Sequence, residues 1–366
     1  MFTPEPPHRH TDLAKVGVLL INLGTPSAPT PRAVRAYLEQ FLSDRRVIEI
    51  PRVVWWPLLH GLILNVRPAQ SARKYAKIWT AEGSPLKVHT ARQAQLLQRR
   101  LEQKIEYPVQ VEWAMRYGTP SIRARVQRLH EQGCDRLLVI PLYPQYSASA
   151  TGSTYDALLE ALRAMRNVPG LRVVKHFHDH PAYIHALAQR VKDYWAAHGR
   201  ADRLVMSFHG LPRYTLDRGD PYHCECHKTA RLLAAALGLD PDQYLVTFQS
   251  RFGRTEWLKP YTIEVMQQLG AKRTRRIDVF CPGFVTDCLE TLEEIAIENK
   301  TAFLRAGGGD FHHIACMNEA EAWIQALAHI ALENLHGWVS VKWDAAAAAR
   351  VAEASQMRAR ALGARS

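Results

Sequence analysis

Short runs rich in Val, Ile and Leu recur along the chain, and each run ends in Gly, Pro or polar residues. Segments long enough to form helices separate most of these runs. Apolar strands that alternate with helices are typical of parallel sheets whose two faces are both covered. We therefore predict an α/β protein with two groups of strands, divided near the 147–154 loop. The predicted strands are 16–23, 109–115, 136–142, 171–177, 204–208, 244–248 and 277–280.

The longest strongly apolar stretch, residues 53–64, contains Pro57 and His60 and is too short to span a bilayer. One interpretation is a buried helix or a lid that packs on the core. The other is an aromatic lip over a cleft or against a membrane surface, and sequence alone leaves both open. Residues 1–15 lack the charged start and apolar run of a signal peptide, so we expect a cytoplasmic protein.

The charge of the chain points to an anionic partner. It carries 47 Lys and Arg against 35 Asp and Glu, a formal net charge of +12. The basic residues are scattered, and no nucleic-acid motif accompanies even the densest run, residues 271–276. We therefore expect no nucleic-acid partner, and an acidic lipid or a carboxylated small molecule remains.

The six cysteines show neither a secreted disulfide spacing nor a pair of CxxC motifs, which fits a reducing compartment. The densest cluster is HCECH at 223–227. These side chains could bind zinc, but ligands this close together rarely complete a tetrahedral site unaided. We expect an ordinary polar loop at this position.

Polar residues that directly follow the strands are the candidates for function, because ligands of open parallel sheets bind at the carboxyl ends of the strands. His209 is one such residue, although a lone histidine there also fits a surface or satisfied core position. Gly24 and Gly210 are expected in tight turns that need positive φ. Neither turn has the GxGxxG or Walker spacing, so we do not expect dinucleotide or nucleoside-triphosphate binding.

The segment 285–300 carries acids at a helical spacing. On an α-helix, Asp287, Glu290, Glu294 and Glu298 would share about one quadrant. Periodicity by itself favours an amphipathic helix with a solvated acidic face. The alternative is a face that lines a cavity and passes a hydrated divalent cation inward, because such ions prefer oxygen ligands.

Four long motifs surround these candidates. They are SFHGLP at 207–212, RGDPY at 218–222, TFQSRFG at 247–253 and FCPGFVTDCLETLEE at 280–294. Together they resemble the ferrochelatases, and further matches are LLINLGTP at 19–26, EGSPL at 82–86, MRYGTP at 115–120 and LYPQYSASATGST at 142–154. The matches run in order from about residue 16 to residue 318, so the resemblance covers most of the chain.

This resemblance implies an enzyme with two Rossmann-like (chelatase-type) domains and a porphyrin cleft between them. It would insert Fe²⁺ into protoporphyrin IX to form protohaem. The alternatives are a coproporphyrin or cobalt chelatase, or a non-catalytic haem or metal carrier on the same fold. The expected parts are a first domain at 13–150 with an apolar lip at 53–64, a second domain at 151–318 carrying His209 and Glu290, a helix at 319–345 that packs back on the first domain, and a basic Ala-rich tail at 346–366.

The motifs also assign individual roles by resemblance. His209 matches the active-site histidine, Glu290 matches the metal-site glutamate, and Glu294 and Glu298 match the acidic track behind it. All four are expected to contact the metal along its path. The porphyrin-cleft positions are Leu23, Tyr75, Ser84, Arg116, Tyr117, Trp257 and Phe284.

Three departures from the family refine the expectation. Some relatives carry histidine at the position of Cys288, so a metal-relay role there is not transferred. Others bind an iron–sulfur cluster through cysteines near the C-terminus, whereas the last cysteine here is Cys316, so we expect no cluster and no other cofactor. Coproporphyrin-using relatives tend to have tyrosine at the position of Leu23, and leucine favours protoporphyrin IX. We further expect a monomer with peripheral membrane contact through 53–64.

Overall fold

The computed structural model describes residues 2, 5–7, 9–253, 255–340 and 342–364. In this part of the chain, eight strands form two separate four-stranded sheets, and every strand pair is parallel. Helices cover both sheets, so the predicted fold class is confirmed. No described helix is both long and apolar enough to cross a membrane.

The first sheet has the order β2-β1-β3-β4, and the second has the order β6-β5-β7-β8. The strands are β1 (Lys15–Gly24), β2 (Val109–Tyr117), β3 (Cys134–Pro141), β4 (Gly170–Val173), β5 (Arg203–His209), β6 (Tyr244–Gln249), β7 (Arg276–Phe280) and β8 (Asp310–His313). All seven predicted strands are present. The eighth, β8, was not predicted, and the predicted strand 171–177 ends at Val173.

The division between the sheets lies later in the chain than predicted. Strand β4 pairs with β3 through the register Arg136 to Gly170. Residues 151–173, which the predicted boundary gives to the second domain, therefore supply a helix and an edge strand of the first sheet. The boundary between the two sheets falls between β4 and β5. The prediction placed it too early because the sequence of a strand does not specify which strand it pairs with.

Thirteen α-helices and three π-helical segments complete the described chain. The first six helices are α1 (Pro31–Leu42), α2 (Arg52–Leu58), α3 (Leu64–Ile78), α4 (Pro85–Glu102), α5 (Ile122–Glu131) and α6 (Ser153–Leu162). The others are α7 (Pro181–His198), α8 (Arg213–Asp217), α9 (Tyr222–Leu237), α10 (Thr262–Ala271), α11 (Lys300–Arg305), α12 (Glu321–Leu335) and α13 (Ala345–Ala361). The π-helical segments are Leu59–Ile63, Ala148–Gly152 and Glu290–Asn299.

Alternation along β1 explains why its sequence is apolar throughout. Val16, Val18 and Leu20 face a central core that also contains Leu204 and Met206 of β5, so one core joins the two sheets. The intervening residues face a separate core on the other side of the first sheet. Helix α12 packs against α4, α7 and β3, and this contact with β3 places α12 against the first sheet.

The apolar stretch 53–64 forms α2 and the π-helical segment Leu59–Ile63. Its inward side is buried, and the indole N–H of Trp55 donates to the carbonyl of Leu42 at 2.7 Å. Its outward side is exposed, with Val53 82% accessible. The segment is therefore both a core element and an apolar surface. The other exposed apolar side chains here are Val54, Trp56, Leu58 and Leu62.

Candidate active site

His209 ends β5 and is partly buried. Its Nδ1 lies 2.6 Å from the carbonyl oxygen of Gly210. A carbonyl only accepts, so in the neutral imidazole Nδ1 carries the proton and Nε2 keeps its lone pair. The histidine is thus oriented by the backbone and offers one nitrogen as a base or a metal ligand.

The two glycines at strand ends serve different purposes. Gly24 has φ +115°, as predicted for a tight turn. Gly210 does not have positive φ, so that part of the prediction is wrong. A Cβ at Gly210 would meet the carbonyl oxygen of Gln249 at 2.7 Å and the indole of Trp257 at 3.1 Å. Glycine is needed there because Gln249 and Trp257 approach the backbone beside His209.

Gln249 and Ser250, at the end of β6, hold the acidic segment in place. The Gln249 amide donates to the carbonyl of Glu290 at 2.9 Å and accepts from Ser207 at 2.6 Å. Ser250 has φ +67°, and its N–H and Oγ donate to the two oxygens of Glu294 at 2.6 and 2.5 Å. A non-glycine residue in the left-handed region is strained and is often found at functional sites. Neither residue was predicted as part of the site, although both lie in the TFQSRFG motif.

The acidic segment is a π-helix from Glu290 to Asn299, and the prediction of an α-helix is wrong. At its end, the N–H of Lys300 donates to the carbonyl of Ile295, which is the i→i+5 pattern of a π-helix. Residues four or five apart adjoin on such a helix, so Glu290 and Glu294 remain neighbours. Long π-helices are rare, and π-turns are frequently functional.

The surroundings of Glu294 raise the pKa of its carboxyl. Burial raises its pKa above the ordinary value of 4.5, and the negative charge of Glu290 adds to this effect. The hydrogen bonds from Ser250 and the charge of His209 oppose the shift without cancelling it. Glu294 is therefore a stronger base than an ordinary glutamate, and it interacts electrostatically with both Glu290 and His209.

Neighbouring acids of the same segment are neutralised. Glu293 is 1% exposed and pairs with Lys77 at 2.9 Å and with Lys74 at 3.0 Å. Glu298 is 44% exposed and lies 2.5 Å from Lys74. Both lysines belong to α3, so the first half of the molecule supplies the cations. Glu293 was not predicted as part of any site.

Asp287 does not join the acidic face, contrary to the α-helical prediction. It is buried and accepts hydrogen bonds from Thr291 at 2.9 Å, from Asn318 at 2.7 Å and from the N–H of Cys316 at 3.2 Å. These bonds tie the start of the segment to the chain after β8. Asp287 is therefore a structural carboxylate.

An aromatic wall from the first half of the molecule faces Glu290. Tyr75, on α3, is buried beside Leu23. Burial raises the pKa of Tyr75, and the charge of Glu290 contributes to this shift, as it also does for Tyr37. Leu292 of the acidic segment packs into the same cluster. The predicted residues Leu23 and Tyr75 thus border the acid end of the site.

Trp257 and Phe284 lie next to His209. The ring of Phe284 is 6.5 Å from the imidazole, centroid to centroid. Trp257 is partly buried, packs on Gly210, and pairs through its backbone with Pro212. These two rings therefore form the apolar wall on the histidine side.

Arg116 and Tyr117 belong to a polar network with Asp44 and Ser153. Arg116 Nη2 lies 2.5 Å from Asp44 Oδ2, the Tyr117 hydroxyl donates to the same oxygen at 2.8 Å, and Ser153 donates at 2.6 Å. Burial acts to raise the pKa of Asp44, but these partners lower it overall. The guanidinium is only 19% exposed, so its partner in this structure is Asp44.

Ser84, a predicted cleft position, and Cys288, to which no role was transferred, are both buried. Ser84 is buried, accepts from Thr25 at 2.8 Å, and borders a surface groove of about 490 Å³ beside Lys87 and Arg92. Cys288 is buried; burial raises the pKa of its thiol, and Glu290 adds to the shift. A protonated thiol is a poor metal ligand.

The donor atoms of His209, Glu290 and Glu294 come from one strand end and one π-helix. Within the described ranges, they are not all within 4.8 Å of one another, so they do not form a closed metal cage. An open set of one imidazole and two carboxylates can hold a divalent cation transiently and can also accept protons. Sites that must release a metal need such loose ligation.

Comparisons with known proteins agree on one family. A family model described as Ferrochelatase matches residues 15–335. The ferrochelatase of Nitrosomonas europaea is 57% identical over 362 residues, covering 99% of this chain and 98% of its own. That of Chromobacterium violaceum is 57% identical over 358 residues, covering 98% of this chain and 96% of its own. SirB from Bacillus subtilis with Fe³⁺ shares the fold, with a TM-score of 0.52 and 14% identity over 90% of this chain and all of its own.

Proposed function

The chain belongs to the ferrochelatase family and is a lyase that inserts iron into a porphyrin to make haem, and we propose that His209, Glu290 and Glu294 perform this insertion. The observation that carries the proposal is that Glu294, held by Ser250 at the end of β6, interacts electrostatically with Glu290 and with the oriented His209 at the end of β5. Leu23, Tyr75, Trp257 and Phe284 would hold the macrocycle against this set.

Insertion requires that Fe²⁺ lose water ligands and that both pyrrole N–H protons leave the porphyrin. The carboxylates of Glu290 and Glu294 can replace water around the cation. Nε2 of His209 and the carboxylate of Glu294 are the two bases, because the first has a free lone pair and the second has a raised pKa. Each base would take one proton, and both protons then pass to solvent.

Glu298 is proposed as the outer point of the metal path. It lies four residues from Glu294 and is exposed to solvent, so a hydrated cation can reach it. Lys74 competes for its carboxylate. The metal would therefore displace an ion pair before it moves inward to Glu294.

Arg116, Tyr117 and Ser84 are proposed to anchor the propionates. Arg116 and Tyr117 sit beside each other, with the guanidinium 4.5 Å from the phenol ring centre, and both are donors. A propionate would have to compete with Asp44 for them. Ser84 would act through Thr25, its hydrogen-bond partner.

The preferred substrate is proposed to be protoporphyrin IX, because Leu23 presents an apolar side chain in the cluster with Tyr75. The decisive assay pairs protoporphyrin and coproporphyrin with Fe²⁺, Co²⁺ and Zn²⁺, using the wild-type enzyme and His209→Ala. We expect the fastest turnover with protoporphyrin and Fe²⁺, and a strong loss in the variant. Faster turnover with coproporphyrin or Co²⁺ would favour the alternative chelatases, and tight porphyrin binding without turnover would favour a carrier.

Catalysis is proposed to need no resident cofactor and no iron–sulfur cluster, since iron is the substrate. The six cysteines are free thiols, and five of them are buried. A cluster ordinarily needs four thiolate ligands, and Cys134 and Cys226 lie in different cores. Iron and acid-labile sulfide in the purified enzyme should be below one equivalent of cluster.

The protein is proposed to work in the cytoplasm as a monomer that touches membranes through 53–64. The exposed faces of Val53 and Trp56 support this contact, and Arg52 lies over the Trp56 ring at 5.7 Å, where it could meet anionic lipid. Co-sedimentation with anionic vesicles should fall in a Val53→Ser, Trp56→Ser variant. Light scattering after size exclusion measures the oligomeric state.

A further inference from the structure

Two histidines and one glutamate converge away from the candidate active site. The donor atoms of His176, His178 and Glu225 all lie within 4.8 Å of one another. We propose that these three side chains bind one divalent transition-metal ion, of the class of Zn²⁺ or Fe²⁺, at the junction of the two sheets. This site is separate from the insertion chemistry and does not rest on it.

The donor atoms are arranged around one carboxylate. His176 Nδ1 lies 2.7 Å from one oxygen of Glu225, and His178 Nδ1 lies 3.3 Å from the other. The two imidazole centres are 5.0 Å apart. Ligand bonds in such sites are about 2.0–2.2 Å long, so small side-chain rotations would bring all three groups onto one ion.

His178 lacks a partner that an ion would supply. It is 5% exposed, and its Nδ1 has no hydrogen bond within the described chain, because the approach to Glu225 is not aligned as one. A buried polar atom left unpaired is costly.

The surrounding contacts hold the ligands before any ion binds. The N–H of Tyr146 donates to Glu225 at 2.6 Å and fixes its carboxylate. Thr229 donates to the carbonyl of His178 at 2.8 Å, which ties the loop after β4 to α9. Asp179 and Lys228 make a second link between the same two elements at 2.5 Å. Groups held in this way orient metal ligands and raise their affinity.

The ligand types determine the class of metal. Two imidazoles and one carboxylate suit Zn²⁺ or Fe²⁺, whereas Mg²⁺ and Ca²⁺ prefer oxygen ligands alone. The His176 side chain is 40% exposed, so an ion can enter from solvent and keep water in its open positions.

The location gives the ion a structural role. His176 and His178 follow β4 of the first sheet, while Glu225 is on α9, which covers the second. The ion would fasten these two elements together. On the same helix, Tyr222 is buried beside the backbone of His209, so the ion would also stiffen the support of that histidine.

The experiment counts bound Zn²⁺ by equilibrium dialysis, and repeats the count with Fe²⁺ without oxygen. A His209→Ala, Glu290→Gln, Glu294→Gln background removes the donors proposed for insertion. We expect this background to bind one equivalent of either ion. His178→Ala or the more exposed His176→Ala, added to this background, should weaken binding of the metal ion. Loss of a group that supports a ligand costs roughly 10- to 100-fold in metal affinity, and loss of the ligand itself should cost more.

His223→Ala with His227→Ala is the matched control, because these histidines lie on the same helix with their rings 4.5 Å apart. The control should retain the equivalent. The proposal is overturned if the background binds no equivalent, if His176→Ala keeps full affinity, or if the control alone loses the ion. Equal binding of Mg²⁺ would overturn the assigned class. Circular dichroism verifies that each variant is folded.

Discussion

Four glutamates of the π-helical segment Glu290–Asn299 have the same side chain but different surroundings. We name them by their pairing: Glu290 and Glu294 are the inner acids, and the lysine-paired Glu293 and Glu298 are the outer acids. Among the described residues, neither Glu290 nor Glu294 forms an ion pair with a lysine or arginine, and Glu294 is held by the N–H and hydroxyl of Ser250. Glu293 and Glu298 are paired with lysines of α3. Helical spacing therefore does not assign a role to an acid. Its neighbours from other elements decide whether it is a base, a ligand or a structural ion.

Glu290→Gln is expected to have the largest effect on insertion. Glutamine keeps the volume but removes the charge that the metal would meet beside Tyr75. We expect kcat to fall by about 10²- to 10⁴-fold, the usual contribution of a positioned acid–base group. Zinc insertion into protoporphyrin under saturating porphyrin measures it. A loss under tenfold with unchanged porphyrin affinity would show that the inner acids are not distinct from the outer ones.

Glu294→Gln should have a smaller effect on rate and a distinctive pH signature. The wild-type acid must be ionised to accept a proton, so activity should fall as pH drops through its raised pKa. We expect the variant to lose about 10²-fold in activity, the lower end of what a positioned acid–base group contributes, and to lose that limb of the profile. An unchanged acidic limb would mean that another group sets it.

The same variant should be at least as thermostable as wild type at neutral pH. A carboxyl whose folded pKa is raised contributes stability below its unfolded pKa of about 4.5, and that contribution is lost as pH rises through the folded value. Glutamine is neutral throughout and can still bond to Ser250. A clear drop in Tm at neutral pH would indicate that the ionised carboxylate stabilises the fold.

Glu293→Gln should affect stability rather than chemistry. Glu293 is buried, and its removal leaves Lys74 and Lys77 without their shared partner. Both lysines still reach water, so we expect the free energy of unfolding to fall by about 1–3 kcal/mol. Urea denaturation measures this change, and insertion kinetics on the folded protein should be near wild type. A large loss of kcat without loss of stability would show that Glu293 takes part in metal insertion.

Much of the fold was predictable because both faces of each sheet are buried, so the strands are apolar throughout. Strand β8 was missed because its sequence, DFHH, has one large apolar residue. Strand β4 was assigned to the wrong sheet because the predicted division near 147–154 separates it from its partner β3, and the sequence of a strand does not specify its partner. The cluster HCECH was expected to be a loop, and it forms the start of α9.

His209 and Glu290 could be predicted because they lie in motifs shared with the family. Residues whose role depends on packing between distant elements were harder to predict. A π-helix differs from an α-helix by one residue in its hydrogen bonding, and the acid spacing fits both. Lys74 pairs with Glu298, 224 residues away in the sequence, and Lys77 pairs with Glu293, 216 residues away. A local sequence pattern cannot predict ion-pair partners that lie so far apart in the chain. The signal that could have pointed to Ser250 is its position directly after a strand.

Glu298→Gln gives the smallest expected effect and tests the outer end of the path. Exposed charge pairs are worth about 0.2–1 kcal/mol, so removing this acid should raise the KM for metal by about 1.5- to 5-fold. The porphyrin KM should not change, and the effect should shrink as ionic strength rises. Lys74→Met is the matched control: freeing Glu298 from its cation should lower the metal KM. If neither variant alters the metal KM at low salt, the acidic path begins at Glu294, and Glu298 serves only to pair with Lys74. A loss as large as that of Glu294→Gln would instead erase the distinction between inner and outer acids.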